Sequence, residues 1–239
     1  GLGYLHLTGF HPTAAREVTA EIEDLERRGE LRGLVFDLRF NGGGSLDQCL
    51  AIANLFLREG VIATQLHRNA PNEVYRADPA QCRWPDLPLV LLVNEGSASA
   101  SEVLSGALQD HGRATVVGRR THGKGYVNTV YSWADRGFKL KLTTGSYRTP
   151  NGRNIERNQS TVGTPADREH GGILPDVDVP IEPAAMAAVR AALRAIEPPA
   201  EYLAGYSEVA ERFGFAVERG PEPGDDEQLR AAIEALAGD

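Results

Sequence analysis

The chain is too poor in cysteine for a disulfide framework: two residues, Cys49 and Cys82, stand in 239 positions, without metal-type spacing. They would pair only in an oxidising compartment, and two buried free thiols are as good an expectation. No apolar run approaches the roughly 20 residues of a membrane-spanning helix, so no membrane span is expected in this stretch. Basic residues are in deficit, 25 Lys and Arg against 33 Asp and Glu, a formal charge of −8. A nucleic-acid partner, which calls for a basic surplus or stripe, is therefore not expected. Methionine is almost missing as well: Met186 is the one, and the chain opens on Gly1. A fragment or trimmed chain is expected, so the lack of a leader peptide says nothing of location.

What is present is ordinary for a globular protein, with 41% hydrophobic and 24% charged residues. A chain of this length is one large domain or two small ones, and it can bury roughly 70% of the surface it exposes when unfolded. Residues 2–7 read as a strand. Residues 13–28 read as a helix, with Ala15, Val18, Ile22 and Leu25 at helical spacing and Gly29 as the stop. The apolar run 34–38 is a doubly buried strand that ends in Asn41-Gly42-Gly43-Gly44. A helix over 46–57 and a strand over 61–66 follow. Residues 68–88, polar and proline-bearing, are expected to form a surface loop. The run 89–93 is a second doubly buried strand, and the small-residue turn 94–102 opens a helix reaching about Gly112.

A strand over 114–117 precedes the glycine-rich turn Thr121-His122-Gly123-Lys124-Gly125. Alternation over 127–133 and 138–144 predicts a hairpin. Residues 149–172 read as a loop, and 177–181 as a last strand. From Glu182 the texture becomes Ala-rich helix, broken at Pro198-Pro199 and Gly220 to Gly224. The chain thus divides into a core, 1–183, and a helical C-terminal extension, 184–239. Strand–helix crossovers followed by a hairpin predict an α/β fold with a largely parallel central sheet. Sites in such sheets form at the carboxyl ends of the strands.

Three turns sit where a site would form. Ser99 opens a helix directly after a buried strand, so its hydroxyl is held at an elbow, and the next backbone amides, from Ala100, face whatever it attacks. Taken alone, a serine here is more often a helix cap, and Ser97 and Ser101 are open to the same reading. A hydroxyl needs a base to become a nucleophile. Of the six histidines, His111 and His122 lie nearest the turns, and neither comes with an evident Asp in a recognisable spacing. Lys124 lies between two glycines that permit a tight bend. As a base it would need a pKa lowered by about 3 units, roughly 4 kcal/mol of lost ammonium stabilisation, for which burial against apolar walls is the expected means. A Walker-type phosphate loop would require Ser or Thr after the lysine, where Gly125 stands. The Gly42–Gly44 turn is suited to supply a second amide donor.

Four segments together resemble the C-terminal processing peptidases, or tail-specific proteases, of serine peptidase family S41. They are DLRFNGGG (37–44), VNEGSASASEVLSGALQDHGRATVVG (93–118), THGKGYVNTV (121–130) and KLTTGSYRTPNGRNI (141–155), and GGILPDVDV (171–179) is similar to the family's closing motif. The resemblance implies a Clp protease/crotonase-like core of strand-strand-helix units. It implies Ser99 as nucleophile, Lys124 as general base, and Ala100 and Gly44 as oxyanion donors, with Gly43 in reserve. The family's glutamine four residues after the lysine, which orients the amine, is here Asn128, one methylene shorter. Asp110 matches a position important for activity and is assigned a structural role. His122 stands where the family usually has an aromatic residue and would line the site. The resemblance further implies protein or peptide substrates, no metal or cofactor, an extracytoplasmic location in the periplasm or cell envelope, and a PDZ domain ahead of the core that this stretch lacks. The extension, 184–239, carries no family motif and is open to two uses, helices packed on the core or an element of a homo-oligomer.

Two other classes remain open at this point. One is a peptide-binding or scaffolding module that kept the fold and lost catalysis, favoured by Asn128. The other is a crotonase-type acyl-CoA enzyme, which would place oxyanion amides on glycine turns without a Ser–Lys pair.

Overall fold

The computed structural model describes residues 1–68, 70–133, 137–157, 171–195 and 226–237. Its centre is a five-stranded, wholly parallel sheet. The strands are β1 (Leu2–His6), β2 (Gly33–Asp37), β5 (Leu89–Val93), β6 (Thr115–Gly118) and β9 (Val177–Asp178), in the spatial order β1-β2-β5-β6-β9. Every residue of β2 and of β5 is buried. The reason is the alternation of their side chains between two covered faces. On one face Leu34, Phe36, Leu91 and Val93 pack with α1 (Ala14–Arg28), α2 (Leu46–Phe56) and α3 (Ala100–Asp110) through Ile22, Ile52 and Leu104. On the other face Val35, Val90, Leu92 and Val117 meet Ala232, Leu229 and Leu236 of α5 (Glu227–Ala237). Each such Leu, Ile, Val or Phe contributes roughly 1.5–3 kcal/mol on burial.

A second sheet is antiparallel, in the order β4-β3-β8-β7. It is built from β3 (Val61–His67), β4 (Glu73–Arg76), β7 (Tyr126–Trp133) and β8 (Phe138–Arg148). β4 corrects the sequence reading, which placed it inside a loop. Its Glu73-Val74-Tyr75-Arg76 is short and largely exposed, an edge strand stabilised by pairing with β3 rather than by its own burial. The last strand of the parallel sheet is shorter than expected, two residues rather than five. The hairpin of β7 and β8 has its expected pairing, Trp133 opposite Phe138, while 134–136 of its turn, residues 158–170 of the expected loop, and the breaks near 198 and 220 lie outside the described residues. The Ala-rich texture after Glu182 forms α4 (Pro183–Ala195), with proline at its first turn, and α5. No helix among the described residues is long and apolar enough to cross a membrane. Both cysteines are free thiols, Cys49 buried and Cys82 half-buried.

Candidate active site

The carboxyl ends of β2 and β5 are neighbours in the sheet, so the turns leaving them meet. The 38–45 turn and the 94–99 turn are laced together by Ala98 N–H donating to Asn41 O at 2.9 Å and Phe40 N–H donating to Asn94 Oδ1 at 2.9 Å. Ser97 and Ser101 belong to this lacing and not to a helix cap: their hydroxyls donate to Leu38 O at 2.8 Å and Asn41 O at 2.9 Å. Among the described residues, Phe40 (φ 62°) and Ser99 (φ 58°) are the non-glycine residues with positive φ. One lies in each turn. Such conformations cost about 1–3 kcal/mol and persist where the surroundings over-determine them.

Gly43 lies against Ser99. A Cβ placed on it would stand 2.8 Å from the Ser99 Cβ, 2.7 Å from Ala98 O and 3.0 Å from the Ala100 nitrogen. Its own N–H is occupied, donating to Asn41 Oδ1 at 2.9 Å. The next residue, Gly44, forms a parallel bridge with Phe10 through its neighbours, Phe10 N–H to Gly43 O and Ser45 N–H to Phe10 O. In a parallel bridge the central residue's own amide points away, which leaves the Gly44 N–H directed out of the bridge on an exposed residue.

The group that unites the site is one that the sequence reading did not single out. Glu102 is fully buried in the first turn of α3. Its carboxylate accepts Ser99 N–H at 2.8 Å, Thr121 Oγ1–H at 2.6 Å, Gly123 N–H at 2.6 Å and Lys124 N–H at 2.8 Å. The serine elbow and the lysine turn are therefore hung on a single anion. The signal was available: a glutamate three residues after a helix-opening serine is half of a capping box. Only the spatial return of residues 121–124 reveals the other half of its role. His122 N–H adds a direct backbone link, donating to Ser97 O at 3.0 Å.

The far side of the lysine turn rests on residues 155–157. Arg157 N–H donates to Gly123 O at 2.9 Å, and the Glu156 carboxylate accepts Gly125 N–H at 2.7 Å and Tyr126 N–H at 3.0 Å. A Cβ on Gly123 or Gly125 would overlap Arg157 or Glu156, which is why both positions are glycine. Burial pushes the Glu156 pKa up, and the nearby Glu102 charge adds to this; the two backbone donors and His122 oppose the shift without cancelling it.

Ser99, Ala100, Gly43 and Gly44 are thus brought together, and Lys124 is tied to them through its backbone. Its side chain differs from expectation. Lys124 is exposed, as are His122 and Asn128, because alternate residues from 122 onward face the open side of the turn. The apolar burial expected for the amine is not present in this conformation. Asn128 is engaged elsewhere: its Oδ1 accepts Thr143 Oγ1–H at 3.1 Å across the hairpin. Asp110, at the end of α3, accepts Asn151 N–H at 2.8 Å and pairs with Arg153. It holds the 149–153 turn from which residues 155–157 emerge.

Residues 1–179 match the description of peptidase family S41. The "carboxy-terminal-processing protease" of Bartonella bacilliformis is 41% identical over 159 residues, 65% of this chain and 36% of that protein. A "carboxyl-terminal-processing protease" of Synechocystis is 40% identical over 156 residues, with the same coverage of both chains. The chain thus spans about a third of the length of these curated relatives. Among solved structures, the photosystem II D1 C-terminal processing protease superposes with a TM-score of 0.64 at 34% identity, over 74% of this chain and 42% of that one. The "putative S41 protease" of Bacteroides fragilis, at 17% identity and TM-score 0.59, shares the fold over 99% of this chain and 54% of its own.

Proposed function

The chain belongs to peptidase family S41, and from that premise we propose that it is a serine-type endopeptidase that cleaves protein substrates near their C-termini with a Ser99–Lys124 dyad. The observation that carries this reading is the Glu102 carboxylate, which takes the N–H groups of Ser99 and Lys124 together. The relatives named as C-terminal processing proteases support the substrate class.

In the proposed reaction the Lys124 amine removes the proton of the Ser99 hydroxyl as Oγ forms a bond to the scissile carbonyl carbon. The carbonyl oxygen takes the electron pair and is held by the N–H groups of Ala100 and Gly44. Ala100 is the first residue of α3, so the helix dipole adds to that stabilisation. Collapse breaks the C–N bond, and the lysine returns the proton to the leaving amine. Water, deprotonated by the same amine, then hydrolyses the acyl-enzyme and frees Ser99. Apolar cover over the exposed Lys124 is assigned to the bound substrate, which excludes water as it docks. Placement outside the cytoplasm, in the periplasm or cell envelope, belongs to the same proposal.

A second reading is favoured by the exposure of Lys124 and by the engagement of Asn128 with Thr143: a peptide-binding module without turnover. The two are separated by a fluorophosphonate probe and a peptide-cleavage assay on the parent, Ser99→Ala and Lys124→Ala. Labelling of Ser99 and cleavage that both variants abolish are expected. A parent that binds peptides but neither labels nor cleaves establishes the second reading.

A further inference from the structure

Arg39 ends the DLR run just before the glycine turn, and it is fully buried. A guanidinium in that position must have every donor paired. Asp37 takes Nε at 3.0 Å and Nη2 at 2.6 Å. The remaining donors go to the far end of the chain. Nη1 donates to Asp226 Oδ1 at 2.9 Å and Gln228 Oε1 at 3.3 Å, and Nη2 lies 2.7 Å from Asp226 Oδ2. Burial alone would lower the Arg39 pKa, but the two aspartates outweigh it and hold the pKa raised. Asp226 is itself held at the start of α5, where its Oδ1 also accepts Leu229 N–H at 3.1 Å.

The other C-terminal helix reaches the same spot. On α4, the Arg190 guanidinium lies 5.3 Å from the centroid of the Phe40 ring. Met186 Sδ accepts Asn94 Nδ2–H at 3.6 Å, and Asn94 Oδ1 is the acceptor for Phe40 N–H and Gly96 N–H. Four side chains, Met186 and Arg190 of α4, Gln228 of α5 and Asp226 just ahead of it, therefore converge on residues 39, 40 and 94. Phe40 is the strained residue of the turn, and strain of that kind needs external constraint. Both helices lie beyond residue 179, where the family match ends.

We infer that α4 and α5 keep the 40–45 turn in its working shape, with Asp226 and Gln228 as positioning residues that act through Arg39. Without Asp226, the outer edge of the guanidinium lacks a charged partner inside the protein. Arg39 then swings toward water and carries Phe40 out of its positive φ. The Gly44 amide loses its place, although nothing at Ser99 or Lys124 has been touched. The consequence for catalysis rests on the function proposed above; the consequence for the turn does not.

The test is amide hydrogen exchange on the full chain, read over residues 40–45 and over α1, in the parent, Asp226→Asn, Asp226→Glu and Arg190→Ala. Asp226→Asn is expected to speed exchange over 40–45 at least tenfold with α1 unchanged, and to lower kcat about tenfold with KM unchanged. Asp226→Glu, which keeps the charge, restores part of both. Arg190→Ala alters only an exposed side chain, so it remains informative should Asp226→Asn fail to fold, and a severalfold rise confined to 40–45 is expected from it. Unchanged exchange over 40–45 in the folded variants, or a rise shared equally by α1, overturns the inference. A parent that cleaves nothing counts against the proposed function, and the exchange pattern still decides this inference.

Discussion

Gly43 packs so closely on Ser99 that a Cβ on the glycine would stand 2.8 Å from the serine's own. Two turns from different strands meet here with no room for a methyl group. The atoms a methyl would strike, Ala98 O and the Ala100 nitrogen, are backbone and cannot swing aside. Gly43 also holds φ at +97°. Gly43→Ala is therefore expected to lower stability by about 2 kcal/mol and peptide kcat/KM about a hundredfold, the scale of losing one oxyanion donor. Gly42→Ala is the control, because a Cβ there meets nothing within 4 Å. It should stay within about 0.5 kcal/mol of the parent in chemical denaturation and retain full turnover.

Glu102→Ala removes one anion and strands four donors, among them the amides of Ser99 and Lys124. Hydrogen bonds to a charged acceptor are worth roughly 1.5–3 kcal/mol each, and stranded buried donors add to the cost. A loss of at least 3 kcal/mol, or a fall in Tm of about 6–12 °C for a chain of this size, should accompany loss of Ser99 labelling. Glu102→Gln keeps the shape and one acceptor oxygen. Its labelling rate should fall between those of the parent and the alanine variant. Parent-like labelling in Glu102→Ala would remove the glutamate from the site.

Glu156 gives a pH prediction with a definite sign. Its carboxyl holds a proton more tightly when folded than when unfolded, chiefly through burial. The stability it contributes is fully present below its unfolded pKa and is lost as pH rises through the higher folded pKa. Urea midpoints measured from the ordinary glutamate range upward should therefore decline in the parent, and Glu156→Gln should flatten that decline. A variant curve parallel to the parent's would contradict the assignment.

Cys49 lies wholly buried beneath the serine elbow, its Sγ 3.2 Å from Ala100 O, and burial pushes its pKa up. It should resist iodoacetamide in the native protein and react only as the chain opens, so its alkylation rate reports unfolding. Cys82, half-buried, should react first in a mass-spectrometric time course. Equal native rates for the two thiols would contradict this packing.

Much of the fold is legible in the sequence because it depends on local pattern. The run 89–93 is apolar throughout and the run 34–38 is apolar but for Asp37, the pattern of a doubly covered strand, and both supply central strands of the parallel sheet. Gly43, Gly44, Ser99 and Ala100 are legible for the same reason: glycine and small residues at strand ends mark tight turns. What the sequence hides is long-range. β4 has no burial pattern of its own and exists through pairing with β3. Glu102 looks like a helix cap until residues 121–124 return to it. The exposure of Lys124 depends on which way a turn faces, which spacing along the chain does not encode. The C-terminal extension shows no motif because its contribution to Arg39 is two side chains, Asp226 just ahead of α5 and Gln228 in its first turn, and the rest of that helix covers a sheet.

Arg39 and Asp226 stand 187 positions apart. During synthesis the serine, the lysine and both glycine turns leave the ribosome long before the aspartate does. On the proposed reading, a nascent chain would carry Ser99, Lys124 and both glycine turns before the Asp226 side chain that braces Arg39 exists. The 40–45 turn would then settle only after α5 has emerged, and the proposed peptidase would stay unarmed until that point.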